Sequence, residues 1–225
     1  DLEKVKQELR FFLDRNVSQV KFVDRTFNCR KSHAMEIWNY IHEHDNGVTN
    51  FHFEIAGDLL DEEEIALFSK MRPGLIQLEI GVQTTNPETL RAIHRHADPE
   101  KLRKVVRTLS GFRNIHQHLD LIAGLPWEDL ESFRRSFNEV YAMAPDQLQL
   151  GFLKVLKGSE MHERAEEYGI VYQSEPPYEV LCTRWLSYED LQELKRVERM
   201  LELFYNSDQF GHTLTALEKW FESPY

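Results

Sequence analysis

Polar residues able to hold a small ligand recur at the ends of short apolar segments: Asp24 and Arg25, Glu54, Gly81 with Gln83, Asp120, and Lys154 closing a stretch that starts at Gly151. Carboxylates accept from an ammonium or from hydroxyls, and Arg25 or Arg95 offers a fork for a carboxylate, so this set suits a zwitterionic, ribose-bearing molecule. The same groups could equally be buried ion pairs that stabilise an inner layer. His116, His118 and Asp120 alternate along one segment and share a face, a geometry compatible with a metal. No fourth donor is placed by the sequence, and histidines in a polar cavity mostly hydrogen-bond, so no metal site is assigned. His94 and His96 are expected on a helix with their rings pointing apart. Asp61–Glu64 reads as a helix start and a solvated face. The two cysteines, Cys29 and Cys182, make neither a disulfide framework nor a thiolate metal site and are expected to be buried.

The elements that must carry these residues follow from periodicity. In "LIQLEIGVQTTNPETLRAIHR", Ile76, Leu78, Ile80 and Val82 share one face, while Gln77, Glu79, Gly81 and Gln83 share the other. Asn86 then caps a helix, with Pro87 in its first position and Glu88 at its positive end. The same strand–helix unit recurs: Val20 and Phe22 lie in one strand, "TNFHFEIAGDLL" leads to "DEEEIALFSKM", "IHQHLDLIAGLP" leads to "EDLESFRRSFNEVYAM", and "DQLQLGFLKV" is a fifth strand. Gly124 and Pro126 make a tight strand exit, with Glu128 and Asp129 opening the following helix. Five strands, each preceded by a helix and with no hairpin turns between them, predict parallel βα units.

One face of these strands is polar (His52, Glu54, Gln77, Glu79, Gln83, His116, His118, Asp120, Gln147, Gln149) and the other apolar. A sheet covered by helices on both sides would read as apolar throughout, so a TIM-like barrel with a polar interior is expected ahead of a sheet with one wet face. Past Lys154 the rhythm changes. "KGSEMHERAEEYG" is expected as a helix between Ser159 and Gly169, "PPYEVLCTRWL" as a strand, and "SYEDLQELKRVERMLELFYNS" as a long helix whose Ser187 and Asp190 have capping-box spacing. "HTLTALEKWFESPY" is a short last helix. Residues 1–154 are therefore expected as one barrel-like unit and 155–225 as an extension that closes it.

A formal net charge of -11 argues against a broad basic surface for nucleic acid. No apolar run approaches a membrane span and no signal peptide opens the chain, which sets a cytoplasmic expectation. The chain starts inside an amphipathic helix (Val5, Leu9, Phe12, Leu13) without a Met, as an excised fragment would.

In order and spacing, "FVDRTFN", "HFEIAGDLL", "EIGVQTTNPETLRAIHR" and "LDLIAGLPWEDLESF" resemble strands two to five of the radical S-adenosylmethionine (SAM) superfamily core. The Gly-Val-Gln and Asp-Leu-Ile-x-Gly-Leu-Pro segments look most like the branch that includes coproporphyrinogen dehydrogenase. "FVDRTFN" looks like Fe-S oxidoreductases with an upstream cobalamin-binding domain. The resemblance implies an α/β partial (βα)6 barrel binding SAM across its interior through Asp24, Arg25, Glu54, Gln83, Arg95 and Asp120, with the backbone near Lys154 beside the adenine, while Gly81 is read as a position where a ligand can approach the strand backbone closely. Asp24 and Arg25 replace the family's Gly-Gly-Glu segment, and Trp127 stands where the family usually has glycine.

Family chemistry implies a [4Fe-4S] cluster on Cys-x3-Cys-x2-Cys that cleaves SAM to a 5'-deoxyadenosyl radical, with an electron donor such as flavodoxin or ferredoxin and cobalamin on an upstream domain. This chain has no such motif, and truncation that removed the first strand and cluster loop is the expected reason. A fragment of this kind would be inactive alone, on an unknown substrate. Two other readings stay open: a barrel lyase or isomerase using His118 and Asp120 as acid and base, and a non-catalytic binding domain.

Overall fold

The computed structural model describes residues 1–225. Five strands, β1 (Gln19–Lys21), β2 (Asn50–Ile55), β3 (Ile76–Gln83), β4 (His116–Ala123) and β5 (Gln147–Phe152), make one sheet in the order 1-2-3-4-5. The ladders from β1 to β2 and from β2 to β3 are parallel. Strictly sequential order is that of a (βα) barrel; a doubly wound sheet reverses direction at a switch point. Helices α1 (Leu2–Asp14), α2 (Lys31–Glu43), α3 (Glu62–Phe68), α4 (Pro87–Ala92), α5 (Pro99–Phe112) and α6 (Leu130–Tyr141) precede or connect the strands. The expected α/β rhythm holds, and α5 is an additional helix in the β3–β4 crossover that the pattern had not separated.

By its contacts the chain forms two compact units, Asp1–Gly81 with Asp98–His118, and Val82–Ala97 with Leu119–Tyr225. In the first, the odd-numbered residues of β2 are buried: Phe53 stacks on Phe22 at 4.4 Å, lies 4.5 Å from Phe27 and meets the edge of Trp38 from α2. A Cβ on Gly57, in the turn after β2, would come within 2.7 Å of a terminal methyl of Leu102 on α5 and 3.1 Å of Ile80, so a larger residue there would require the Leu102 side chain to shift. Asn114, just before β4, donates to the carbonyls of Phe68 and Met71. Gln117 is the polar exception on the helix-facing side of β4, and its amide donates to Val106 O and Ser110 Oγ. The solvated-face reading of Asp61–Glu64 fails at Glu64. That side chain is buried and accepts from the Asp61 N–H, completing a capping box with Asp61.

In the second unit, Leu119, Leu121 and Ala123 of β4 and Leu148 and Leu150 of β5 are buried together with Phe133, Phe137 and Val140 of α6. Gly124 leaves β4 at φ +90, and a Cβ there would sit 2.7 Å from Val180. The segment after β5 is less helical than expected. Ser159 does cap a helix, but α7 covers only Glu160–Glu163; β6 (Val171–Tyr172) then pairs antiparallel with β7 (Val180–Cys182), so the expected strand is three residues of a small hairpin. α8 (Tyr188–Met200) opens on the expected capping box of Ser187 and Asp190, runs into a wider turn at Leu201–Tyr205, and is followed by α9 (Gly211–Leu217).

Two further expectations are corrected. Cys29 is exposed and Cys182 half-buried, because the first sits at the end of a surface turn and the second on a two-stranded hairpin. α4 ends at Ala92, so His94, Arg95 and His96 lie beyond the helix; His94 adopts φ +54 and the Arg95 N–H returns to Leu90 O.

Candidate functional site

Alternation along the strands places Lys21, His52 and Glu79 of the first unit on the polar face. Register sets Lys21 beside His52 and Glu54 beside Glu79 on neighbouring strands. Lys21 Nζ donates to Glu79 Oε2 at 2.9 Å, and His52 Nε2 lies 2.8 Å from the same oxygen. Burial is the largest influence on His52 and holds its pKa below the ordinary histidine value; Lys21 adds to this and Glu79 opposes it. For Glu79, burial pushes the pKa up, but the hydrogen bond and charge of Lys21, with lesser help from the neighbouring histidines, leave the carboxyl below its ordinary value. At neutral pH the cluster is an ionised carboxylate shared by an ammonium and a neutral imidazole. Such a face can accept from ligand hydroxyls or ammonium groups and donate from a lysine. No group of three or more His, Cys, Asp or Glu side chains has metal-binding geometry.

The second unit builds its polar cluster differently. Gln83 ends β3 at φ +69, in the left-handed region. The next three residues are anchored: Thr84 Oγ1 donates to Glu128 Oε1 at 2.6 Å, the Thr85 N–H donates to Ser136 Oγ at 3.1 Å, and Asn86 Nδ2 donates to Trp127 O at 2.8 Å and to Ser132 Oγ at 2.9 Å. Asn86 Oδ1 also accepts from the Glu88 N–H, which makes it the expected cap of α4. Ser136 Oγ donates to Glu128 Oε1 at 3.2 Å, and Glu128 is fully buried. Burial raises the Glu128 pKa to about 7 against the opposing pull of the Thr84 and Ser136 hydroxyls. The cap of α6 is Asp129 alone, whose side chain accepts from the Ser132 N–H. Glu128, expected to share that helix start, is instead an interior anchor for the exit of β3.

Of the residues singled out from the sequence, Asp24 and Arg25 lie exposed in the turn after β1, and Glu54 and Gly81 lie half-buried and buried on β2 and β3. These four belong to the first unit; Gln83, Arg95, Asp120 and Lys154 belong to the second. Gln83 and Asp120 are half-buried on β3 and β4, Arg95 is half-buried after α4, and Lys154 is exposed after β5, where it bridges to Glu179. Lys21, His52, Glu79 and Glu128 are not among these strand-end residues. Alternation marked the faces of His52 and Glu79, whereas nothing local separates Glu128 from Asp129.

A family model described as "Radical SAM superfamily" matches residues 1–140, and one described as "Protein of unknown function (DUF4080)" matches residues 166–225. The oxygen-independent coproporphyrinogen-III oxidase-like protein HemZ of Bacillus subtilis (strain 168) is 31% identical over 120 residues, 52% of this chain and 23% of that protein. The oxygen-independent coproporphyrinogen III oxidase of Salmonella typhimurium is 29% identical over 160 residues, 66% of this chain and 34% of that protein. The chain thus spans about a quarter to a third of the length of these relatives. Among solved structures, the radical S-adenosylmethionine methyltransferase TsrM from Kitasatospora setae, with cobalamin and [4Fe-4S] cluster bound, superposes with a TM-score of 0.67 at 18% identity, over 79% of this chain and 37% of that one. Coproporphyrinogen III oxidase HemN from Escherichia coli, a radical SAM enzyme, superposes with a TM-score of 0.59 at 19% identity, over 88% of this chain and 46% of that one. At these identities the structures speak for a shared fold. No helix is long and apolar enough to cross a membrane.

Proposed function

The chain belongs to the radical SAM superfamily, and from that premise we propose that it is the SAM-binding core of a radical enzyme acting on a substrate that its residues do not name. The observation that carries the proposal is the family match over residues 1–140, which runs through β1 to β4 of a sheet in sequential order with a polar face. When bound together, SAM and a reduced [4Fe-4S] cluster supply a 5'-deoxyadenosyl radical.

The donor set suits SAM. Glu54 and Asp120 accept from ammonium or ribose hydroxyls, Arg25 and Arg95 can meet the methionine carboxylate, Gln83 both donates and accepts, and Gly81 leaves the strand backbone open to close approach. In this reading Asp24 shares the methionine end with Arg25, and the backbone at Lys154 flanks the adenine. The chain's residues do not fit a [4Fe-4S] cluster, because three thiolates are required and the chain has only Cys29 and Cys182. The cluster therefore belongs, in this proposal, to cysteines outside these 225 residues, as does cobalamin if the likeness to TsrM extends to cofactors. The electron donor is a small redox protein of the flavodoxin or ferredoxin kind. The family matches at 1–140 and 166–225 lie on either side of position 154, which supports the division into a barrel portion (1–154) and an extension (155–225).

The test uses the full-length protein reconstituted with iron and sulfide under anaerobic conditions. It should bind SAM and release 5'-deoxyadenosine on reduction, and Gln83→Ala should weaken SAM binding about tenfold, the loss of one or two ligand hydrogen bonds, with the melting temperature nearly unchanged. Absence of SAM binding in a protein shown to carry its cluster would sink the proposal. A large stability loss with unchanged binding would make Gln83 a structural residue.

A further inference from the structure

Trp127 is hard to explain by packing. Its φ is +65, a conformation that disfavours any side chain with a Cβ and a bulky one most, and which glycine would adopt without strain. The residue remains 49% exposed, so the strained backbone is not there to place the indole in a core. The conformation is nonetheless imposed from both sides. Asn86 holds the Trp127 carbonyl at 2.8 Å, and the next residue, Glu128, is buried on Thr84 and Ser136. Backbone strain maintained by its surroundings around an exposed aromatic ring is the pattern of a binding residue.

The surroundings have the shape and chemistry of a ligand site. The Trp127 ring lies 5.0 Å from that of Trp185, which is 6.0 Å from Tyr168, and the Arg164 guanidinium stacks 4.4 Å above Tyr168. Trp127, Tyr168, Arg164, Arg91, His94 and Glu88 line a cleft of about 340 Å³, room for a two-ring planar molecule. The charges around it are unevenly committed. Arg164 donates to Glu160 and to Glu167, and His94 also contacts Glu160, whereas Arg91 approaches Glu88 only to 3.9 Å and its side chain is 75% exposed. Arg91 is the cation most available to an incoming anion.

We propose that this cleft binds a planar aromatic acid, its ring stacked on Trp127 and its acidic group paired with Arg91. The inference goes beyond the SAM-binding reading and does not depend on it, since none of these residues is assigned to SAM.

The test is a ligand-observed NMR titration of the full-length protein with 2-naphthoate, using cyclohexanecarboxylate as the non-planar control. Saturable binding of 2-naphthoate and none of the control is expected. Trp127→Gly should weaken binding at least about tenfold while the melting temperature holds or rises, because glycine relieves the strain. Trp127→Phe should keep affinity within about threefold, and Arg91→Gln should lower it by about threefold to tenfold. The proposal is overturned if 2-naphthoate does not saturate, if the control binds equally, or if Trp127→Gly binds as well as the unchanged protein.

Discussion

Two glutamates of this chain meet the cost of burial in opposite ways. Glu79, on the polar face of the first unit, is kept ionised by Lys21 with His52 against the same oxygen; Glu128, in the second unit, has only hydroxyl donors and titrates near neutrality. A lysine stabilises the charged form through its full positive charge. Thr84 and Ser136 offer hydroxyl dipoles, which do not offset the removal of Glu128 from water. The difference separates a carboxylate able to act on a ligand from one that acts on its own fold. Glu79 presents a standing negative charge on a polar face, while Glu128 ties the residues after β3 to α6.

The comparison breaks most readily at Glu128. Glu128→Ala removes the acceptor of two buried hydroxyls and leaves a void, and should cost about 2–4 kcal/mol of stability. Glu128→Gln keeps an oxygen facing Thr84 and Ser136 but has no charge to bury. Since folding raises the Glu128 pKa from 4.5 to about 7, the folded state binds the proton more tightly, and stability attributable to this group is full below pH 4.5 and declines as pH rises to about 7. The decline is on the order of 3 kcal/mol. Urea midpoints measured from pH 4 to 8 should therefore fall with pH for the unchanged protein relative to Glu128→Gln, with the gap complete above pH 7. Parallel curves would mean that Glu128 is solvated after all.

Removing Lys21 tests the other arm. Lys21→Met keeps the aliphatic stem but leaves Glu79 with the neutral His52 as its polar contact here and with Glu54 as its register neighbour. The Glu79 carboxyl should then titrate at higher pH, visible in a carboxyl-resolved NMR titration. The stability loss should stay below about 1 kcal/mol because the Lys21 side chain is half in water. An unmoved Glu79 titration would show that the hydrogen bond, not its burial, was overvalued.

The legible and illegible parts of the molecule divide along the same line. Periodicity is local, so the faces of β2, β3 and β4 and the caps at Asn86, Ser159 and Ser187 could be read from the residues themselves. The anchoring of Glu128 depends on Thr84, 44 positions away, and on a helix face that presents Ser132 and Ser136 to it. In sequence, Glu128 and Asp129 are simply two acids ahead of a helix, and only one of them caps it. The left-handed turns at Gln83 and Trp127 were hidden for the same reason, since a side chain there opposes the local preference and distant bonds impose the conformation. Trp127 stands where the family usually has glycine, but the residue type alone does not give its backbone conformation. The hairpin of β6 and β7 escaped because a two- and a three-residue strand carry too few positions for alternation to register.

His52 carries the smallest effect and the sharpest sign. Its folded pKa lies below its ordinary value of 6.5, so the unfolded chain binds the proton more tightly. Its contribution to stability is therefore complete above pH 6.5 and is lost as pH falls through the window between that value and the lowered one. This slope opposes that of Glu128, and the two partly cancel where their windows overlap. In a Glu128→Gln background the opposing slope of Glu128 is gone, and stability should rise more steeply with pH up to about 6.5 than in the unchanged protein. Adding His52→Asn should flatten that rise while leaving the plateau above it nearly unchanged. If the rise persists without His52, the polar face of the first unit does not hold a neutral imidazole beside its carboxylate, and the contrast between the two glutamates would rest on Lys21 alone.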